Sequence, residues 1–184
     1  MANDPWISIV VPSFNQAQFI ELTLQSLLSQ DVEGLEIIVV DGGSTDGSVE
    51  VIRRYADRLT AWVSEPDRGQ SHAINKGFAQ AKGEWLGWLN SDDLMLPKAL
   101  RTLQHHVTQV PDQQWWIGAG WFIDDKGHRL RKYGAPIGLT ASAQLSDWRE
   151  HWFAQPSTFF KRSLFVRAGG AFSMNRSHRS KSIA

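Results

Sequence analysis

Four short apolar runs, each followed by a segment in which apolar residues recur every three or four positions, constrain this chain more than any other feature. Ile7 to Val11, Leu35 to Val40, the stretch "LTAWVS" and Trp85 to Leu89 are continuous rather than alternating. A strand that is apolar at successive positions must be covered on both faces, as in a parallel sheet packed between helices. The intervening segments carry Ile20, Leu24, Leu27 and Leu28, then Val49, Ile52, Tyr55 and Leu59, then Ile74, Phe78 and Ala81 at helical spacing. Pro97 is placed to open a fourth helix with Leu100, Leu103, Val107 and Val110 on one face. Asn15 is placed to cap the first helix, and Glu50 and Arg54 are spaced for an i,i+4 pair. The pattern predicts an α/β fold: a Rossmann-like, mostly parallel sheet flanked by helices. After Pro111, "QWWIGAGWFIDDKGHRLRKYG" predicts an antiparallel hairpin around "DDKG".

In such a sheet, ligands bind beyond the carboxyl ends of the strands. The polar clusters fall there: Pro12 to Asn15, Asp41 to Asp46, Glu65 to Gln70 and Asn90 to Asp93. Of these, "NSDD" is the most informative. Two adjacent carboxylates at a strand end repel unless they diverge, take up a proton or share a cation. Magnesium and manganese prefer hard oxygen ligands, and use one or two carboxylates together with substrate phosphates. The same two residues also suit a simpler arrangement in which Asp93 caps the next helix and Asp92 faces water. "VVDGGSTDGS" places Asp41 before glycines that admit a ligand close to the backbone, or merely forms a strand-to-helix turn capped by Ser44 or Asp46. It does not match the glycine pattern of dinucleotide-binding turns. "SEPDRGQSHAINKG" sets Asp67 and Arg68 before a helix start, which suits an anion site or a solvated loop with internal ion pairs.

Composition narrows the partners. The 19 basic and 19 acidic side chains cancel, so no global field recruits nucleic acid. The absence of cysteine excludes disulfides and thiolate zinc sites. "MANDPWISIVVP" has neither a basic region nor a long apolar run, and no window reaches the roughly 18 apolar residues of a membrane span. A cytoplasmic protein is the expectation.

Taken together, "VVPSFNQ", "VVDGGSTDGS", "SEPDRGQSHAINKG", "GEWLGWLNSDD" and "QPSTFF" resemble the family 2 glycosyltransferases, inverting enzymes of the GT-A fold, over residues 7–170. The resemblance implies transfer of a sugar from a nucleoside-diphosphate sugar to a hydroxyl of a glycan or lipid-linked acceptor, as in polysaccharide assembly. Such acceptors imply peripheral association with the inner membrane surface. It assigns donor binding to Pro12, Ser13, Asn15, Asp41, Asp67, Arg68, Asn90, Ser91 and Asp92, and Mg2+ or Mn2+ binding to Asp92 and Asp93. Gln155, Pro156 and Ser157 would lie on the acceptor side. Asn90 stands where many relatives have aspartate.

Relatives continue from a segment like "VRAGGAF" into an acidic stretch that supplies the catalytic base, whereas here "SMNRSHRSKSIA" follows and no Asp or Glu occurs after Glu150. The expectation is one domain over residues 1–172, a disordered tail over 173–184, and a truncation or reading-frame change just after Phe172. Donor binding would persist and transfer would be impaired, unless Asp147 or Glu150 substitutes as base. A non-catalytic nucleotide-sugar binding module and a nucleotidyltransferase are the competing readings. The latter is disfavoured by the lack of a lysine- and glycine-rich loop after the first strand.

Overall fold

The structure, a computed structural model, describes residues 5–134 and 155–172. Asp147, Glu150 and the segment 173–184 lie outside the described residues. In chain order the elements are β1 (Ile7–Ser13), α1 (Ile20–Leu28), β2 (Leu35–Asp41), α2 (Ser48–Arg54), β3 (Ala61–Ser64), α3 (Gln70–Gln80), β4 (Trp85–Trp88), α4 (Ala99–Gln109), β5 (Trp115–Ile117), β6 (Gly120–Ile123), β7 (Arg129–Tyr133), β8 (Thr158–Lys161) and α5 (Arg162–Arg167).

The main sheet runs β3-β2-β1-β4-β8-β5. Its first four strands are parallel, while β8 is antiparallel to both β4 and β5. The continuous apolar runs are explained by two separate cores. Ile7, Ile9, Val11, Ile37 and Val39 point to one face, where Ile20, Leu24, Leu27, Ile52, Leu100 and Leu103 cover them. Val10, Ile38 and Val40 point to the other, under Ala73, Ile74 and Phe78 of α3. Odd and even positions are thus buried alike, which erases the alternation of a half-exposed strand.

Close packing of α3 on β1 depends on Gly77. A Cβ there would lie 2.4 Å from Val10 Cγ1 and 2.7 Å from Cγ2. Gly77→Ala is therefore expected to destabilise the fold by about 1–3 kcal/mol despite the better helix propensity of alanine. Urea denaturation measures this; a neutral or stabilising result would mean that α3 shifts outward freely.

At the opposite end of the strands from the polar clusters, Glu36 is buried within β2. Its Oε2 accepts hydrogen bonds from Ser8 Oγ at 2.5 Å, Lys82 N at 2.9 Å and Gly83 N at 3.2 Å. The α3–β4 connection is tied to the sheet through this oxygen and through Ser8 Oγ, which accepts from Gly83 N at 2.8 Å.

Three local expectations are corrected. The first helix begins at Ile20 with Phe19 as its N-cap, so Asn15 does not cap it. Asn15 instead sits at φ 53 and bridges two loops. Arg54 pairs with Glu21 of α1 at 3.2 Å rather than with Glu50, because α2 packs beside α1. The expected antiparallel hairpin around "DDKG" forms from β6 and β7, but its first strand is shorter than the apolar stretch: Trp115–Ile117 pairs with β8 in the main sheet. A stretch with two strand-forming halves joins whichever edge offers unpaired backbone groups, and β8 offers one.

Candidate functional site

Parallel register brings Ser13, Asp41 and Ser64 level with one another at the carboxyl edge of the sheet. A cavity of about 470 Å³ opens above that edge, beside the switch in strand order at β1. Pro12, Ser13, Asp67, Asn90, Ser91 and Asp92 line it. So do Phe14, Gly42, Gly69 and Gln70, which belong to the same polar clusters without having been singled out, and Gln16 and Ala73, which lie outside those clusters. Phe14 had a signal, since it is a 61% exposed aromatic inside a polar loop.

Asn15, Asp41 and Arg68 do not line this cavity. Asp41 is buried and builds the loop: Oδ2 accepts from Gly43 N, Ser44 N and Ser64 Oγ, and Oδ1 accepts from Ser44 Oγ. Asn15 ties the β1 loop to the β2 loop, donating its backbone N–H to Ser44 Oγ at 2.8 Å and accepting from Thr45 N at 3.0 Å. Asp46 completes that seam by accepting from Ala17 N at 2.9 Å. The exposed Arg68 donates its backbone N–H to His72 Nδ1. Asp67 accepts from Gly69 N at 2.6 Å and crowds Gly42, where a Cβ would lie 3.0 Å from Asp67 Oδ2 and 3.2 Å from Phe14 Cδ2. Only glycine leaves that gap open.

Two polar groups at the cavity are conspicuous by their freedom. The Ser13 hydroxyl is buried without a hydrogen-bond partner, which is costly unless a ligand satisfies it. The exposed Asp92 carboxylate has no hydrogen bond or ion pair among the described residues.

Asp92 is exposed because of the turn that carries it. Asp93 N donates to Asn90 O at 3.0 Å, which places Asp92 at the tip. The turn is held from beneath by Thr23 of α1, whose Oγ1 donates to both Ser91 O and Asp93 O at 2.9 Å. No motif marks Thr23, and sequence reasoning missed it.

Asp93 points elsewhere. It lines a second cavity of about 420 Å³ with Asn90, Asp92, Trp121, Phe122, Ile123, Tyr133, Gln155 and Pro156. Pro156 and Ser157 also border a smaller adjoining space of about 220 Å³ under the β6–β7 hairpin. Asp93 does not cap α4, whose N-cap is Lys98. Asp93 thus lines the second cavity and not the first, whereas Asn90 and Asp92 form a wall shared by both.

Burial, followed by the negative charge of Asp92, pushes the Asp93 carboxyl up to about 6, against an opposing hydrogen bond from Asn90. The folded chain consequently holds that proton more tightly than the unfolded chain. The stability penalty is absent below the ordinary carboxyl pKa of about 4 and complete above about 6. Asp93→Asn is thus expected to stabilise the metal-free chain at pH 7 by about 1–2 kcal/mol, solvent contact having reduced the nominal value of about 3. The gain should vanish near pH 4; thermal melts across pH 4–8 measure it, and a pH-independent gain would contradict this cause.

Among the described residues no third acidic, histidine or cysteine side chain completes a closed metal cage. An open pair of carboxylates facing a cavity suits a hard divalent cation that takes its remaining ligands from a substrate. A model of the family described as glycosyl transferase family 2 matches residues 8–180. The chain belongs to glycosyl transferase family 2.

Among family 2 relatives, an uncharacterized glycosyltransferase of Rickettsia typhi is 31% identical over 127 residues, 68% of this chain and 40% of that protein. The mannosyltransferase PcManGT of Pyrobaculum calidifontis, solved with GDP-Man and Mn2+, is 27% identical with a TM-score of 0.63, covering 94% of this chain and 48% of that one. S. aureus TarS 1-349, solved with UDP-GlcNAc, superposes with a TM-score of 0.73 at 21% identity, over 91% of this chain and 48% of that one. These likenesses establish the GT-A architecture. The chain spans about half or less of the length of these relatives.

Proposed function

We propose that this chain carries the donor-binding part of an inverting, metal-dependent glycosyltransferase that moves a sugar from a nucleoside diphosphate to a hydroxyl of a glycan or lipid-linked acceptor. The observation that carries the reading is the unpaired Asp92 carboxylate at the wall of the 470 Å³ cavity, which Ser13, with its unsatisfied hydroxyl, also lines. Donors of this chemistry occupy two structural neighbours, with Mn2+ present in PcManGT.

In this reading Phe14, Gly42 and Asp67 form the slot for the base and ribose, and Ser13 supplies a hydroxyl to the nucleoside. Asp92, with Asp93 behind it, would hold Mg2+ or Mn2+, which when bound offsets the charge growing on the departing diphosphate. The acceptor occupies the second cavity, where Trp121 and Tyr133 offer apolar faces and Gln155 borders the opening. Asp41 and Asn15 act indirectly by fixing the loops around the slot. No described helix is long and apolar enough to cross a membrane. A cytoplasmic enzyme meeting a lipid-linked acceptor at the membrane surface is therefore part of the proposal, supported by the exposed Phe122 and Leu130 beside Arg129, Arg131 and Lys132 on the hairpin.

Calorimetry with Mn2+ and a panel of UDP-, GDP- and dTDP-sugars tests the reading. Saturable, chelator-sensitive binding of one donor class is expected. Absence of binding to every donor would count against it, while binding without transfer to any glycan extract would favour a binding module.

A further inference from the structure

Asn90 raises a question that the family reading leaves open, because an amide, which carries no charge to offer a metal, occupies a position beside the two carboxylates. Its side chain is engaged on three sides. Nδ2 donates to Asp93 Oδ2 at 2.9 Å and to Gln155 Oε1 at 3.1 Å, while Oδ1 accepts from Gln70 Nε2 at 2.7 Å. Gln155 is anchored in turn, since its Nε2 donates to Trp88 O at 2.8 Å. One carboxamide thus joins the first residue of α3, the end of β4, the Asp92–Asp93 turn and the segment leading into β8.

An amide suits this position in this chain, because it both donates and accepts. A carboxylate donates no hydrogen bond, so aspartate at 90 would lose the bonds to Asp93 and Gln155 together and add a third negative charge to the turn. The amide also holds Asp93 Oδ2, and Asp93 lines the second cavity and not the first, whereas its neighbour Asp92 lines both. Gln155 lines the second cavity and not the first. Its hydrogen bonds link it to the first cavity through Asn90, which lines both.

We infer that Asn90 and Gln155 form a positioning pair that transmits the state of the second cavity to the cation and donor side at Asp92. A ligand that engages the Gln155 amide in the second cavity alters the hold on Asn90, and through it the placing of both carboxylates. Coupling of this kind is reciprocal, so donor and acceptor each change the affinity for the other. The inference rests on the reading of Asp92 as a metal residue.

The test is a Mn2+ titration of the full chain followed by water-proton relaxation, in the presence of UDP and separately of GDP. The variants are Gln155→Ala, Gln155→Met, which keeps the side-chain bulk, Asn90→Ala, and the double variant Asn90→Ala/Gln155→Met. Each Gln155 variant should lose about tenfold in Mn2+ affinity, the magnitude usual for a residue that orients a metal ligand. The double variant should be no weaker than Asn90→Ala alone, because both changes break one relay. Melting temperatures identify any loss caused by unfolding. Unchanged affinity in Gln155→Met, or losses that multiply in the double variant, would overturn the pair while leaving the donor reading intact. Failure of the unaltered chain to hold Mn2+ with either nucleotide would overturn the pair and the metal reading at once.

Discussion

Asp92→Ala is expected to lower the affinity for any Mn2+–nucleotide complex by about 100-fold or more, equivalent to about 3 kcal/mol, while leaving the melting temperature of the metal-free protein nearly unchanged. The separation of the two effects follows from position. Asp92 lies at the tip of a turn, exposed to the cavity and engaged by no other described group, so its removal costs the fold nothing beyond a relieved repulsion with Asp93. Any loss in binding must then come from the ligand side. Asp92→Asn sharpens the result: it preserves shape and hydrogen-bonding capacity but not charge, and should retain little of the affinity if a cation is the partner. Isothermal titration with and without Mn2+ decides between the possibilities. Nucleotide binding that survives both substitutions and ignores chelators would mean that the carboxylate has no metal to hold.

The second large effect lies at the other end of the sheet. Glu36→Ala should destabilise the fold by about 3 kcal/mol, because it strips the acceptor from the Ser8 hydroxyl and the Lys82 amide, and one of two acceptors from the Gly83 amide, in a region with little water to replace them. In a chain of this length that corresponds to a fall in melting temperature of about 6–12 °C. Glu36→Gln should cost much less, since all three donors converge on one oxygen and a carboxamide oxygen can take its place. The comparison isolates hydrogen bonding from packing. Equal losses in the two variants would show that charge, not satisfaction of the three donors, is what the site requires. Because Glu36 is remote from both cavities, neither variant should alter nucleotide affinity at temperatures where the chain is folded.

How much of this was legible beforehand depends on the range of the interactions involved. The strands, the helical faces and their order follow from short-range periodicity, and the two-core arrangement confirms why the strands read as unbroken apolar runs. The clustering of Pro12, Ser13, Asp67, Asn90, Ser91 and Asp92 was also foreseeable, because a parallel sheet necessarily delivers its strand ends to one edge. Asp41 illustrates the limit. Its place at that edge was foreseen, yet its carboxylate turns into the loop, where Ser64 from the next strand and two backbone amides hold it.

The hairpin shows the same boundary from another side. Both of its halves were identifiable as strand-forming, but whether Trp115–Ile117 would pair locally or with β8 depended on a sheet edge contributed some forty residues later. Glu36 lies within a run read as continuous, and nothing in the sequence pointed to partners from Lys82 and Gly83. Thr23, inconspicuous within α1, supports the turn that exposes Asp92.

By itself, then, the amino-acid order determined the alternation of strands and helices, the edge at which polar groups gather and the presence of a carboxylate pair, since each depends on neighbours within a few positions. Tertiary structure alone decided which way each carboxylate faces, which polar groups are spent on holding loops and which remain free for a ligand. Those outcomes depend on hydrogen-bond partners that are distant in sequence and meet only when the sheet closes.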